Sequence, residues 1–176
     1  MVTRGAMKRN GKSAKSDVCQ TPPIGLKPII PYLNPGLTIW EPAMGEGLVV
    51  DELRANGFTV VGGDILTGQN FFTYEPEEWG CLVTNPPFTL KFKWLARCYQ
   101  LGKPFGLLLP VETMGCKTAQ LLFKQYGVEV IWLDARINFK MPNKGWSGKG
   151  AQFPTAWFTW GLGIGKENTF ASLKGL

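Results

Sequence analysis

Beyond its first sixteen residues the chain alternates between two hydrophobic periods. Leu37–Trp40, Phe58–Val61, Cys81–Thr84, Phe105–Leu109, Val128–Leu133 and Thr155–Trp160 are short, mostly apolar runs set off by turn residues, and they read as buried strands. Between them the apolar positions recur every three or four residues. Leu48–Asn56 reads as a helix with Leu48, Val49, Glu52 and Leu53 on one side and Gly57 past its end. Leu90, Trp94, Leu95, Cys98 and Leu101 mark a helix over Leu90–Leu101, and another is expected from Thr113 to Tyr126. Thr21-Pro22-Pro23 opens a short helix, because proline is tolerated in a first turn, and Asn34-Pro35-Gly36 ends it. Strands alternating with helices predict an α/β fold, a mostly parallel sheet covered by helices on both faces. Such sheets bind ligands beyond the carboxyl ends of their strands, so the loops directly after strands are the place to look for chemistry.

Composition narrows the picture. The 176 residues are 44% apolar and 12% aromatic, enough for one packed domain. That domain is expected over residues 17–176, after a disordered basic tail over 1–16. No apolar run approaches the ~18 residues of a membrane span, and the polar N-terminus lacks a secretion signal, so a cytoplasmic location is expected. Cys19, Cys81, Cys98 and Cys116 have no metal-ligand spacing, and no metal site is expected. The chain has no histidine, which removes the usual general base and every Ser–His or Cys–His catalytic unit.

Charge adds a partner. Of a net +6, the tail supplies five through Arg4, Lys8, Arg9, Lys12 and Lys15. A second acid-free stretch, Arg136 to Lys149, holds Arg136, Lys140, Lys144 and Lys149 around Phe139 and Trp146. Cations interleaved with aromatics suit a phosphate backbone and its bases, so Lys140, Lys144, Trp146 and Lys149 are candidate nucleic-acid contacts. For the tail, plain solubility is an equally good reading.

Two loops carry candidate chemistry. Glu41-Pro42-Ala43-Met44-Gly45-Glu46-Gly47 joins a predicted strand to a predicted helix, where glycines permit a tight turn and a close backbone approach to a ligand. It lacks the third glycine of a dinucleotide fingerprint and the Gly-Lys-Ser/Thr of a phosphate loop. Asp64, 17 residues after Gly47 at the end of the next strand, can accept hydrogen bonds from a ribose diol, or it can serve as a helix cap. Asn85-Pro86-Pro87-Phe88 follows the third strand. Two prolines stiffen that backbone and remove two N–H donors, leaving the Asn85 amide and the Pro86 carbonyl as acceptors beside an aromatic ring. Acceptors beside a stacking face suit a flat group with an exocyclic amine. A proline-stiffened loop with a core phenylalanine is the plainer alternative.

In this motif order the chain resembles the S-adenosylmethionine-dependent adenine-N6 methyltransferases that carry Asn-Pro-Pro-Phe or Asn-Pro-Pro-Tyr. The resemblance covers roughly residues 17–161. It implies a Rossmann-like class I methyltransferase fold with a seven-stranded, mostly parallel sheet and a C-terminal antiparallel hairpin, to which Phe153–Phe158 is similar. It also implies S-adenosylmethionine as cofactor. Thr21 and Pro22 would lie over its methionine end. Glu41, Pro42, Ala43, Gly45 and Gly47 would form its turn, Asp64 would meet its ribose, and Asn70 and Phe71 would meet its adenine. Asn85, Pro86, Pro87 and Phe88 would be the catalytic residues, the first two holding the target amine and Phe88 stacking on a base flipped from the duplex.

Only 20 residues separate Asp64 from Asn85, and 16 follow Trp160, too few for a separate recognition domain. Short sequence specificity, or recognition supplied by a partner protein, is therefore expected. Four readings stay open. DNA adenine methylation is favoured over methylation of an adenine or guanine amine in structured RNA. Glutamine methylation on a protein fits the motif chemistry. A catalytically silent nucleic-acid-binding partner would keep the same fold.

Overall fold

A computed structural model describes residues 19–141, 145–146 and 153–173; for 141, 145 and 146 the backbone alone is described. The parallel part of the sheet uses β1 (Ile39–Glu41), β2 (Val60–Gly62), β3 (Cys81–Thr84) and β4 (Phe105–Pro110). Then come β5 (Glu129–Leu133), a small hairpin of β6 (Lys140–Met141) and β7 (Gly145–Trp146), β8 (Thr155–Trp160) and β9 (Asn168–Ala171). Seven strands form one sheet in the order β2-β1-β3-β4-β8-β5-β9. Only β8 runs against its neighbours, pairing antiparallel with β4 and β5. All other pairs are parallel, so the carboxyl ends of β1 to β5 and of β9 share one edge.

Helices cover both faces, as the alternating pattern predicts. On one side α1 (Pro23–Leu26) and α2 (Leu48–Ala55) bury Leu26, Val49, Val50 and Leu53 against Ile39, Val83, Leu108, Ile131 and Trp157. On the other, α3 (Lys91–Leu101) and α4 (Lys117–Tyr126) place Trp94, Leu95, Cys98 and Ala119 against Trp40, Leu82, Leu107, Val130 and Phe158. The split follows from side-chain alternation along strands flanked on both sides. Trp157 locks the first layer, since its indole N–H donates to the Gly25 carbonyl at 2.9 Å from a fully buried position.

The sequence reading needs three corrections. The proline-rich N-terminal helix is shorter than expected: α1 has four residues, and a separate 3₁₀ turn, Ile30–Tyr32, follows, because Pro28 and Pro31 cannot continue an α-helical hydrogen-bond ladder. The expected Thr113–Tyr126 helix is two elements, a 3₁₀ turn Val111–Gly115 and then α4. The last strand is not Thr155–Trp160 but β9, whose alternating exposure gave no continuous apolar run to recognise.

At Gly106 the segment between α1 and the 3₁₀ turn packs directly on the sheet. A Cβ there would lie 2.2 Å from Ile29 Cδ1, and both residues are buried. Gly106→Ala should therefore lower stability by about 1–3 kcal/mol through overpacking. A thermal melt checks this, and Ile29→Val in the same chain should recover part of the loss.

Candidate functional site

The informative residues meet at the carboxyl edge of β1, β2 and β3. Glu41 ends β1 with 1% exposure. Its Oε1 accepts the Ala43 N–H at 2.8 Å and the Thr84 hydroxyl from the end of β3. Its Oε2 is buried and meets no hydrogen-bond partner among the described residues. Burial pushes this carboxyl up to about 8; the Thr84 and Ala43 bonds pull it back, and the charge of Asp64 adds to the rise. Glu41 is thus a buried acid with one oxygen spare, which a ligand cation or N–H would satisfy.

The turn after it is shaped by two glycines. Gly45 and Gly47 have φ of +52° and +90°, backbone that L side chains rarely adopt, and Gly47 starts α2. Asp64 binds this turn to the next strand. Its Oδ2 accepts the Gly45 N–H at 3.1 Å, and its Oδ1 accepts the Leu66 N–H at 2.8 Å, capping the 3₁₀ turn Ile65–Thr67. The cap reading and the site reading of Asp64 therefore coexist in one side chain.

A strap crosses the turn from the N-terminal side. Gln20 exchanges two backbone hydrogen bonds with Lys140, at 2.9 and 3.0 Å, and its Oε1 accepts the Glu46 N–H at 3.2 Å. A Cβ on Gly45 would lie 2.1 Å from the Gln20 Nε2, so the amide rests on the glycine itself. Lys140 Nζ closes the group on Glu46 Oε2 at 2.8 Å.

The Asn85 loop leaves β3 beside this turn. The Asn85 Nδ2 donates to the Cys19 carbonyl at 3.2 Å, and since a carbonyl only accepts, the partner fixes which end of the amide is which. The Oδ1 is then buried with no hydrogen-bond partner among the described residues. Pro86 is buried, Pro87 half-buried, and the half-buried Phe88 ring meets Phe153 edge-on at 5.6 Å and 71°. Just past the end of β3 the loop thus carries a buried polar acceptor and, three residues on, an aromatic ring against Phe153.

Other expected residues fall in varied places. Thr21 and Pro22 are buried beside the strap, the Thr21 hydroxyl meeting no hydrogen-bond partner among the described residues. Pro42 is buried and Ala43 half-buried. Asn70 uses its Oδ1 on the Phe72 N–H at 3.1 Å, and Phe71 is a core ring, stacked on Trp94 at 3.9 Å. Lys140 spends its charge on Glu46. Lys144 and Lys149 lie outside the described residues, as do the tail and the Trp146 side chain. Sequence reasoning missed Gln20, Thr84, Glu46 and the Cys19 carbonyl. Gln20, Thr84 and Glu46 had a signal, each sitting directly before a residue already singled out.

Among the described residues, no group of three Cys, Asp or Glu side chains could hold a metal ion, and no helix is long and apolar enough to cross a membrane.

No family model and no curated protein matches the sequence. Solved structures match the fold. One is described as a modification subunit of a type I restriction enzyme from Vibrio vulnificus YJ016, with a TM-score of 0.53 at 11% identity over 82% of this chain and 44% of that one. Another is the methyltransferase subunit of a type I restriction-modification system from Streptococcus thermophilus, with a TM-score of 0.51 at 14% identity over 93% of this chain and 46% of that one. The chain thus spans less than half the length of each, and what it shares with them is the fold.

The Glu41 carboxyl gives a stability signature. Its value of about 8 in the folded chain exceeds the ordinary 4.5, so the folded state keeps a proton that the unfolded chain releases between the two. This contribution is full below pH 4.5 and is lost as pH rises towards 8, with a slope of up to about 1.4 kcal/mol per pH unit. Glu41→Gln should remove that decline. Melting curves of both proteins from about pH 5 to about pH 9 should diverge in the variant's favour as pH rises; parallel curves would show that Glu41 ionises at its ordinary value.

Proposed function

We propose that this chain is an S-adenosylmethionine-dependent methyltransferase that methylates the exocyclic N6 amine of adenine in DNA. The observation that carries the reading is the Asn85 amide. Its nitrogen is anchored on Cys19, its oxygen is buried with no hydrogen-bond partner among the described residues, and Phe88 follows three residues later in the same loop.

The residues present fit the cofactor. Glu41 offers a spare, buried carboxyl oxygen suited to a cationic amine, the Gly45–Gly47 turn brings backbone close, and Asp64 has lone pairs left for a diol. Thr21 adds a buried hydroxyl with no hydrogen-bond partner among the described residues. When bound, the cofactor's sulfonium supplies an electrophilic methyl group. Everything else falls to the chain. The adenine amine is a poor nucleophile, because its lone pair is delocalised into the ring. As the nitrogen bonds to carbon it gains positive charge, and its N–H bonds become better donors. The Asn85 oxygen, and with it the Pro86 carbonyl, holds those N–H groups more strongly in the transition state than in the ground state. As that bond forms the carbon–sulfur bond breaks with its electron pair left on sulfur, and the extra proton then passes from the nitrogen to solvent water. Phe88, braced by Phe153, offers the face on which the base stacks. No histidine enters this chemistry.

DNA is preferred as substrate because two solved structures of like fold are described as subunits of type I restriction or restriction-modification enzymes. Those proteins are subunits and are about twice this chain's length, so a partner protein supplying target recognition belongs to the proposal.

Asn85→Ala should reduce methyl transfer to adenine-containing duplex DNA by about 10²–10³-fold, the usual effect of removing one preorganised partner. Cofactor affinity by calorimetry should stay within a few-fold. Equal loss of both would make Asn85 a structural residue and sink its assigned role. Transfer to RNA alone, with the same dependence on Asn85, would move the substrate and keep the mechanism.

A further inference from the structure

The far flank of the same sheet edge carries an aromatic cavity that the proposed reaction does not use. It has a volume of about 280 Å³ and is lined by Trp132, Leu133, Asp134, Phe170, Ala171 and Ser172. Trp132 and Phe170 are cross-strand neighbours on β5 and β9. The Trp132 indole is pinned by its N–H to the Asn168 side chain at 2.8 Å, whereas Phe170 is 81% exposed, the most exposed large apolar side chain among the described residues. The Asp134 carboxylate takes the Ser172 hydroxyl and the Leu173 N–H. A phosphate is therefore a poor occupant, while a planar group with ring N–H or amine donors is a good one.

Topology links this cavity to the Asn85 slot. Both lie at the carboxyl edge, with β3 and β9 four strand spacings apart, or about 19 Å. The connector between β5 and β8 leaves the cavity at Asp134 and ends at Phe153, against Phe88. Along that connector the sequence has Arg136, Lys140, Lys144 and Lys149 and no acid after Asp134. The described ends of that connector thus lie at the two places, Asp134 at the cavity and Phe153 against Phe88.

We propose that the Trp132–Phe170 cavity stacks a second base of the strand whose target base enters the slot beside Asn85. The proposal rests on the nucleic-acid reading of that slot. A strand reaching from one to the other needs about six nucleotides stacked at ~3.4 Å, and fewer if it is extended. The cavity would fix the enzyme's position on the strand at a set distance from the target, in place of a separate recognition domain.

The test uses the full chain with 2-aminopurine placed at successive positions of an adenine-containing single strand of about sixteen nucleotides, and of its duplex. Quenching should peak beside the target and again several positions away, and Phe170→Ala should erase only the distant peak. Affinity for the long strand should fall by about 5- to 100-fold in Phe170→Ala and recover in Phe170→Trp, since stacking is shape-tolerant. A single quenching peak, or equal affinities for the long strand, would overturn the proposal. So would a Phe170-dependent dimer in sedimentation, which would give the patch to a second copy. Methyl transfer to adenine by both proteins is measured in parallel, so failure of the slot reading shows as absent transfer, while failure of the cavity reading leaves transfer present.

Discussion

The Glu41 carboxyl is the joint on which the candidate site hangs. Its buried oxygen takes the Ala43 N–H from its own turn and the Thr84 hydroxyl from the neighbouring strand, immediately before Asn85. The Glu41 carbonyl takes the Gly63 N–H at 2.8 Å, and the Gly63 carbonyl in turn takes the Met44 N–H at 2.9 Å. The turn after β1, the turn after β2 and the start of the Asn85 loop are thereby registered to one another through one residue. An apolar side chain at 41 would keep the backbone bonds to Gly63 but leave the Ala43 N–H and the buried Thr84 hydroxyl without this acceptor. Keeping a carboxyl there, with one oxygen unsatisfied, breaks the rule that buried polar groups are paired, and such breaks concentrate where a ligand is expected.

Much of the fold was legible because its signals are local. Six strands, their order of appearance and the two-sided helical cover follow from apolar runs and from periods that can be counted in the chain. The strand β9 was not legible. Its residues alternate in exposure at a sheet edge, with Phe170 pointing outward, so the pattern that marks a buried strand is absent. The α1 region failed for the opposite reason. Its apolar spacing is helical, yet Pro28 and Pro31 forbid the backbone bonds that the spacing suggests.

The site divides in the same way. Residues within one loop, such as Gly45, Gly47 and Asn85, are recognisable from their neighbours in sequence. Contacts made across the fold are not. Gln20 meets Glu46 across 26 positions, Asn85 meets Cys19 across 66, and Lys140 meets Glu46 across 94. Lys140 shows the consequence. Read in sequence among other cations it looks like a phosphate contact, yet in the fold it faces Glu46 on the Gly45–Gly47 turn. Its charge then ties the start of the connector to that turn, beside the backbone bonds that join Lys140 to Gln20.

A neutral amide at position 85 makes electrostatic sense beside Glu41. The two residues end or follow adjacent parallel strands, and Thr84, bonded to Glu41, is the immediate neighbour of Asn85. A carboxylate at 85 would place a second acid next to a buried one, raising both pKa values and filling the site with a proton rather than an acceptor. The amide oxygen accepts strongly, stays unprotonated across the physiological range, and is oriented by the Cys19 carbonyl on its other side. Under the proposed reaction it strengthens its hold only as the amine acquires charge. Under the proposal the arrangement separates two electrostatic tasks: the ionisable group serves the cofactor, and the neutral acceptor serves the arriving base.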